Sequence, residues 1–237
     1  IIATVLSKPM SLAWQILFWF SGFMVFHSYV LFPLILKILA RNKSLNFPII
    51  SQDELPKLSI LVAAFNEEAV IAEKIESVFK SHYPIEKFEL LIGSDNSKDQ
   101  TNQIVQSYAD QYPNLTFKAY QKRRGKQNVV NDLYHLSTGS ILILTDANVI
   151  FDVDTLLEIA RPFQNPEIGL VDTNMINRGM RKEGISHQEK AYISREVLIK
   201  QQESVVWGSM MGPFGGCYAI RHEDYSKVPS NALVDDF

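Results

Sequence analysis

The stretch that decides the fold is LSILVAA, residues 58–64, followed directly by FNEE, residues 65–68. Seven residues without a charge, rich in branched apolar side chains, are typical of a strand buried on both faces of a sheet. The polar FNEE stretch begins where such a strand ends. Because ligands of open α/β sheets bind at the carboxyl ends of the strands, the sequence predicts a polar site at this edge.

Strand and helix patterns alternate along the rest of the chain. Further strands are predicted at 88–93, 115–120, 141–145, 168–174 and 216–221, and helices at 67–82, 99–112, 125–137, 155–163 and 187–206. Strands separated by helical segments favour a mostly parallel sheet with flanking helices. We therefore expect a Rossmann-like α/β domain over residues 58–237.

The composition of the 237 residues excludes several classes of protein. Apolar residues make up 46% and charged residues 21%, which is ordinary for a globular domain and argues against disorder. The net charge of −3 gives no whole-chain basic footprint, so we expect no nucleic-acid partner. The single cysteine, Cys217, excludes an intramolecular disulfide and a cysteine-based zinc cluster.

An apolar segment precedes this domain. Residues 9–36 contain no charged residue, and 17 of the 23 residues in 14–36 are apolar. A helix of that length spans about 34 Å, which is enough to cross a hydrocarbon core of about 30 Å. The alternatives are a buried core helix and a signal peptide, whose apolar region is shorter. We expect a membrane helix within 1–40 and a linker over 41–57.

The charges around this segment predict its orientation. Lys37, Arg41 and Lys43 follow it, and only Lys8 precedes it. Positive residues favour the cytosolic side, so we expect the lipid bilayer as a partner, the inner cell membrane as the location and a cytosolic α/β domain.

Polar side chains follow three of the predicted strands. Asn66 and Glu67 come after the first, Asp95 after the second, and Asp146 and Asn148 after the fourth. The alternative at each loop is a helix N-cap, formed by Asn66, by Ser97, and by Asp152 or Asp154. Together at one edge of a sheet, the polar side chains favour a binding site.

The spacing of Asp146 and Asn148 suits a hard divalent cation, which takes oxygen ligands and can bridge phosphates. Basic residues at 122–124 and 126 would help to bind phosphate, although a solvated surface turn explains them equally well. Gly125-Lys126 is followed by Gln127, so there is no Walker A sequence, and no G-x-G-x-x-G follows the first strand. ATPase and dehydrogenase functions are therefore disfavoured.

Six motifs in order resemble glycosyltransferase family 2, inverting enzymes with the GT-A fold. The motifs are VAAFNEE (62–68), GSDNSKDQT (93–101), RRGKQNVVN (123–131), TGSILILTDAN (138–148), FGGCYAIRHE (214–223) and VDDF (234–237). HSYVLFPLIL (27–36) is similar to the N-terminal membrane helix of the membrane-bound, polysaccharide-synthase-like branch.

The resemblance implies a role for each matching residue. The implied nucleotide-sugar-binding residues are Ala64, Asn66, Glu67, Asp95, Lys126 and Asp146. Asp146 and Asn148 would hold Mg²⁺ or Mn²⁺. Asp236, with Asp235 beside it, would be the catalytic base. The implied acceptor-side residues are Gly215, Gly216 and Arg221.

The sequence departs from the family pattern in three places. Asn96 stands where the pattern has glycine, and asparagine tolerates the left-handed turn that glycine supplies. Asn148 stands where the pattern has a second aspartate, which keeps an oxygen ligand but removes a charge. The sequence stops at Phe237, before later family segments, so we expect a fragment without the C-terminal part.

The implied function is transfer of a hexosyl or N-acetylhexosaminyl group from a nucleotide-diphosphate donor. We expect a UDP-sugar donor and a glycan or lipid-linked acceptor on the cytosolic face. The alternatives are a non-catalytic membrane-anchored nucleotide-binding fragment and a GT-A-like nucleotidyltransferase. The nucleotidyltransferase is disfavoured because such enzymes typically carry a glycine-rich phosphate loop near the first strand, and AAFNEE has no glycine.

Overall fold

The structure is a computed structural model, and it describes residues 11–48, 51–176 and 185–227. The chain forms two compact units. One is made of segments within 1–45 and 180–211, and the other of segments within 46–179 and 212–237. The predicted catalytic residues Asp235 and Asp236 lie outside the described residues.

The first unit contains a helical stretch of 29 residues, Leu12–Ala40, which is long and apolar enough to cross a membrane. It consists of α1 (Leu12–Phe26), a π-helical turn (His27–Leu31) and α2 (Phe32–Ala40). The π turn lies just before Pro33, which lacks an N–H and crowds the carbonyl one turn back. No residue of α1 is buried.

The long helix α7 (Ile185–Trp207) belongs to this unit, whereas the sequence pattern assigned it to the α/β domain. It packs on α2, where Leu36 is fully buried and the rings of Phe32 and Trp207 stack 6.2 Å apart. The Lys43 ammonium donates to the Val206 carbonyl at 3.2 Å. These contacts explain the difference, because α7 packs on α2 at Leu36 and Phe32.

The second unit is built on a six-stranded sheet in the order β3-β2-β1-β4-β6-β5. The strands are β1 (Leu58–Ala64), β2 (Phe88–Ser94), β3 (Leu115–Ala119), β4 (Ile141–Thr145), β5 (Leu170–Asp172) and β6 (Cys217–Arg221). β1 lies at the centre and pairs in parallel with β2 and β4. Only β6, among the described strands, runs against the others. The predicted mostly parallel α/β sheet is confirmed.

Helices cover both faces of this sheet. They are α3 (Ile71–Phe79), α4 (Thr101–Ala109), α5 (Lys126–Tyr134) and α6 (Thr155–Ala160). The cluster that contains Ile60 and Val62 of β1 also contains buried residues of α3, α4 and α6. Leu61 of β1 packs with Val129 and Leu133 of α5 on the other face. The predicted burial of β1 on both faces is therefore confirmed.

A polar network closes the amino-terminal edge of the sheet. The Ser59 hydroxyl donates to the Glu89 carboxylate at 2.6 Å and accepts the Gly139 N–H at 2.8 Å. The Thr138 N–H donates to the same Glu89 oxygen at 2.6 Å. A Cβ at Gly139 would lie 2.7 Å from the backbone of Leu58 and Ser59. The turn before β4 therefore touches β1 so closely that it needs glycine.

We expect Gly139→Ala to lower the free energy of unfolding of the second unit by about 1–3 kcal/mol, because the added methyl group overlaps backbone atoms that cannot rotate away. Urea unfolding of the detergent-solubilised chain, followed by far-ultraviolet circular dichroism, measures this change. Gly22→Ala is the matched control, since a Cβ there meets no atom within 4 Å. An unchanged unfolding midpoint for Gly139→Ala would contradict the packing described.

Candidate functional site

The carboxyl edge of the sheet gathers the ends of β1, β2 and β4. Ala64 pairs with Ser94, so β1 and β2 end side by side, and β4 ends at Thr145 on the other side of β1. The strand order runs outward in opposite directions from the β1–β4 pair. Such a switch point is where open α/β sheets bind ligands. The predicted residues after these three strands therefore share one edge.

The loops that follow β1 and β2 are joined by reciprocal hydrogen bonds. The Asn66 N–H donates to the Ser97 hydroxyl at 3.1 Å, and the Asn66 side-chain oxygen accepts the Lys98 N–H at 2.8 Å. Asn66 and Asn96 adopt φ values of +56° and +61°. The left-handed turn expected at Asn96 is thus confirmed. Asn66 holds the neighbouring loop and makes no side-chain cap on α3, so the N-cap interpretation of Asn66 is wrong.

Asp95 holds the basic loop before α5. Asp95 is 3% exposed. Its carboxylate accepts hydrogen bonds from the backbone N–H groups of Arg124 at 2.6 Å and Gly125 at 3.0 Å. The Arg123 Nε lies 3.3 Å from the same carboxylate. Gly125 has a φ of +83°, a conformation that favours glycine. The buried carboxylate therefore fixes the path of the loop through its backbone.

The two arginines of this loop contact different groups. The Arg123 guanidinium lies 3.5 Å above the ring of Phe65, the first residue after β1. The Arg124 guanidinium instead pairs with the Asp132 carboxylate, which also accepts the Tyr120 hydroxyl at 2.9 Å. Arg123 is thus kept at the edge of the sheet, and Arg124 is held against α5.

The loop after β4 carries Asp146 and Asn148. The Asp146 carboxylate lies 2.7 Å from the Lys126 ammonium, and both side chains are 37% exposed. The Asp146 N–H donates to the Gly216 carbonyl at 3.0 Å, while Ala147 between the two polar residues is buried. The loop is therefore anchored by its backbone and Ala147, and leaves the Asp146 and Asn148 oxygens accessible.

Glu67 lies close enough to Asp146 for the two carboxylates to repel each other. Burial raises the pKa of the Glu67 carboxyl, and the charges of Asp146 and Asp99 raise it further. A bound cation would relieve this repulsion between carboxylates. Asp146 and Asn148 supply two oxygen ligands, and Mg²⁺ is commonly held by one or two protein oxygens together with substrate phosphates. The donor set fits a divalent cation that is shared with a phosphate ligand.

The predicted acceptor-side residues do not all lie at this edge. Gly216 contacts the Asp146 loop, and a Cβ there would lie 2.5 Å from the Met175 sulfur. Gly215 lines a small cavity together with Lys126 and Tyr218.

Arg221 is at the opposite end of β6, where it pairs with Ile141, the first residue of β4. Its guanidinium donates to the carbonyls of Phe163, Asn165 and Ile168 at 2.8–2.9 Å. The structure therefore does not bring Arg221 to the site. It ties β6 to the turn after α6, because the antiparallel direction of β6 carries its last residue away from the carboxyl edge.

Phe65 was not predicted as a site residue, and Arg123 was predicted only as one of four basic residues that could bind phosphate. Phe65 is 36% exposed, although all residues of the preceding strand except Ala63 are buried. The sequence feature that could have identified Phe65 is an aromatic residue at the first position after the strand, followed by polar residues. Arg123 could not be distinguished from its basic neighbours by sequence, because only the Asp95 contact selects it.

Comparison with known proteins adds a fold and a family. The solved structure of the mannosyltransferase PcManGT from Pyrobaculum calidifontis, in complex with GDP-Man and Mn²⁺, has a TM-score of 0.71 and 22% identity. The likeness covers 87% of this chain and 56% of that one, and it shows the GT-A fold.

Two curated relatives are similar in sequence. The beta-monoglucosyldiacylglycerol synthase of Trichormus variabilis is 31% identical over 159 residues, covering 66% of this chain and 34% of that protein. The poly-beta-1,6-N-acetyl-D-glucosamine synthase of Staphylococcus aureus is 29% identical over 128 residues, covering 54% of this chain and 30% of that protein. The chain spans about a third of the length of these relatives.

The sequence model described as Glycosyl transferase family 2 matches residues 59–228, which is more than half of the chain and covers the whole sheet except Leu58, the first residue of β1. The chain belongs to glycosyl transferase family 2.

Proposed function

We propose that this chain is the donor-binding part of a membrane-anchored inverting glycosyltransferase. It would transfer a sugar from a nucleoside-diphosphate donor, a UDP-sugar, to a glycan or lipid-linked acceptor. The observation that carries the proposal is the set of groups at one sheet edge: a buried Asp95, an exposed ring at Phe65 and the Lys126–Asp146 ion pair. Family membership supplies the class of reaction.

The base and the ribose would bind at the end of β1. The Phe65 ring offers an apolar face of the kind on which bases stack, and the nearby Asp95 carboxylate can accept an N–H of uracil. Ala64, Asn66 and Glu67 would lie beside the base and ribose. Because Arg123 lies between the Phe65 ring and Asp95, we expect its guanidinium to move or to stack when the base enters.

The diphosphate would bind at the end of β4. Asp146 and Asn148 would hold Mg²⁺ or Mn²⁺, which when bound neutralises negative charge on the departing nucleoside diphosphate. The Lys126 ammonium is 2.7 Å from Asp146 and can turn from this carboxylate to a phosphate oxygen. The bound cation would then take the place of the Lys126 ammonium beside Asp146, so that both charged groups keep a partner of opposite charge.

The acceptor chemistry would depend on Asp236, which lies outside the described residues. A carboxylate there would remove the proton from the acceptor hydroxyl as its oxygen attacks the anomeric carbon. The bond to the diphosphate breaks on the opposite face of the sugar, so the configuration inverts. Asp235 would lie beside the base, and Gly215 and Gly216 would leave room for the acceptor.

The apolar helix would anchor this domain in the inner membrane. The Arg195 guanidinium of α7 donates to the Tyr29 carbonyl and lies over its ring, so a charged group reaches the helix at this level. We propose that the membrane crossing lies within Leu12–Ala40, because α1 alone, at 15 residues, spans only about 22 Å. The α/β domain would then lie in the cytosol, as the flanking Lys37, Arg41 and Lys43 predict.

We expect a reporter fused after residue 57 to be on the cytosolic side of the membrane, because positive charges follow the apolar helix. A fluorescent-protein fusion should be bright and an alkaline-phosphatase fusion at the same position inactive. Replacing Lys37, Arg41 and Lys43 with glutamine should weaken this preference. An active phosphatase and a dark fluorescent fusion would contradict the orientation.

We expect UDP to bind much more tightly with Mn²⁺ or Mg²⁺ than with EDTA, since Asp146, Glu67 and Asp99 otherwise repel the diphosphate. Isothermal titration of the solubilised chain with UDP measures both affinities. Asn148→Asp should tighten Mn²⁺ binding, and Asp146→Asn should abolish the metal effect. Asp110→Asn, at the far end of α4, is the control that should change neither affinity. Equal UDP affinity with metal and with EDTA would exclude this metal site.

We expect Asp236→Asn to lower the turnover number of the full-length enzyme by about 10²–10⁴-fold, because the amide keeps the shape of the side chain but cannot accept a proton. The affinity for UDP should stay unchanged, since the base faces the acceptor. Asp235→Asn is the neighbouring control and should have a smaller effect. Sugar transfer at the wild-type rate by a UDP-binding Asp236→Asn enzyme would remove Asp236 from the mechanism.

A further inference from the structure

Lys74, on α3, is a fully buried lysine beneath the loop that carries Asp146. Burial of an ammonium group without a carboxylate partner is costly. Within the described residues Lys74 forms no ion pair, and burial lowers its pKa to about 7, against the opposing influence of Cys217 and Asp146. A group kept in this position at such a cost has a function in the fold or in the site.

The contacts of Lys74 bracket the loop. Its Nζ donates to the Thr145 hydroxyl at 3.0 Å and to the Val149 carbonyl at 2.6 Å. Thr145 is the last residue of β4, and Val149 is the first residue after Asn148. The two hydrogen bonds therefore hold both ends of the Asp146–Asn148 segment. The ring of Phe151 covers the ammonium group, 3.6 Å from its centroid, and excludes water from it.

Further residues of α3 and of the turn after it also bind the chain that follows β4. The Ser77 hydroxyl accepts the Phe151 N–H at 3.2 Å, and the His82 N–H donates to the Val153 carbonyl at 2.8 Å. The chain after β4 thus runs along α3 from Lys74 to the end of the helix. Lys74 is the contact of this series that reaches both sides of Asp146 and Asn148.

We propose that Lys74 is a positioning residue that fixes the backbone of the Asp146–Asn148 loop, so that both oxygens face one divalent cation in the donor complex. This inference rests on the proposed function, since it assumes that the loop binds a metal with a nucleotide. Lys74 touches neither metal nor donor. It acts through the Thr145 hydroxyl and the Val149 carbonyl, which set the spacing of the two ligands.

The test is a comparison of metal binding and nucleotide binding in Lys74→Met, which keeps the length of the side chain and removes its hydrogen bonds. Electron paramagnetic resonance measures free Mn²⁺ in titrations of the solubilised chain with saturating UDP. Isothermal titration measures UDP binding in EDTA. We expect Mn²⁺ affinity to fall by about 10-fold or more, the usual effect of losing a residue that orients metal ligands, and UDP affinity in EDTA to change less than twofold.

Lys80→Met is the matched control, because Lys80 directly follows the same helix, is exposed and pairs with Glu76 at the surface. It should leave both affinities unchanged. Thr145→Val serves as a second variant, since it removes one Lys74 contact and keeps the side-chain shape. It should weaken Mn²⁺ binding in the same direction but less, and it decides the question if Lys74→Met fails to fold.

The outcomes separate the inference from the proposed function. If wild-type protein binds Mn²⁺ with UDP and the folded Lys74→Met binds it equally well, Lys74 is not a positioning residue and the proposed function stands. Equal loss of UDP affinity in EDTA and of Mn²⁺ affinity would show general damage to the fold and would also overturn the inference. If wild-type protein shows no Mn²⁺ binding with UDP, the proposed metal site and the inference both fail.

Discussion

The parallel pairing of β1 with β2 on one side and β4 on the other is the constraint on which the site depends. It brings the FNEE loop, the Asp95 loop and the Asp146 loop to a single edge, although residues 65 and 148 are 83 positions apart in sequence. The buried residues of β1 hold this register through two separate apolar clusters, one on each face. Any slip of β1 by one residue would exchange these faces and separate the three loops.

The carboxylates of Asp95 and Asp146 are held in place by different contacts. Asp95 is buried and held by backbone N–H groups, whereas Asp146 is half-exposed and held by one lysine. A buried carboxylate with fixed donors is suited to permanent structure and to recognition of a polar base edge. A half-exposed ion pair can exchange partners when a ligand arrives. In the proposed function, the different surroundings of Asp95 and Asp146 suit them to different roles.

Much of this arrangement was predictable from the sequence, since β1 and β4 are uncharged runs with abrupt polar ends, and their observed bounds match the predicted ones. The left-handed conformation of Asn96 was predicted correctly, because it depends on the local sequence. The positions of Arg221, α7 and Lys74 could not be predicted, because they depend on tertiary contacts. The antiparallel direction of β6 places Arg221 away from the site. The helix α7 packs on α2. The sequence around Lys74 is that of an ordinary helical lysine, and only the contacts with Val149 and Phe151 distinguish it.

The most direct test of the account is the release of nucleoside diphosphate by the full-length protein from a panel of nucleotide sugars, with Mn²⁺ and with EDTA. The account predicts that UDP is released from a UDP-sugar when an acceptor lipid or glycan is present, that EDTA stops the reaction, and that the product has inverted anomeric configuration. Pyrophosphate release from nucleoside triphosphates, with no diphosphate released from any nucleotide sugar, would contradict it and would identify a nucleotidyltransferase.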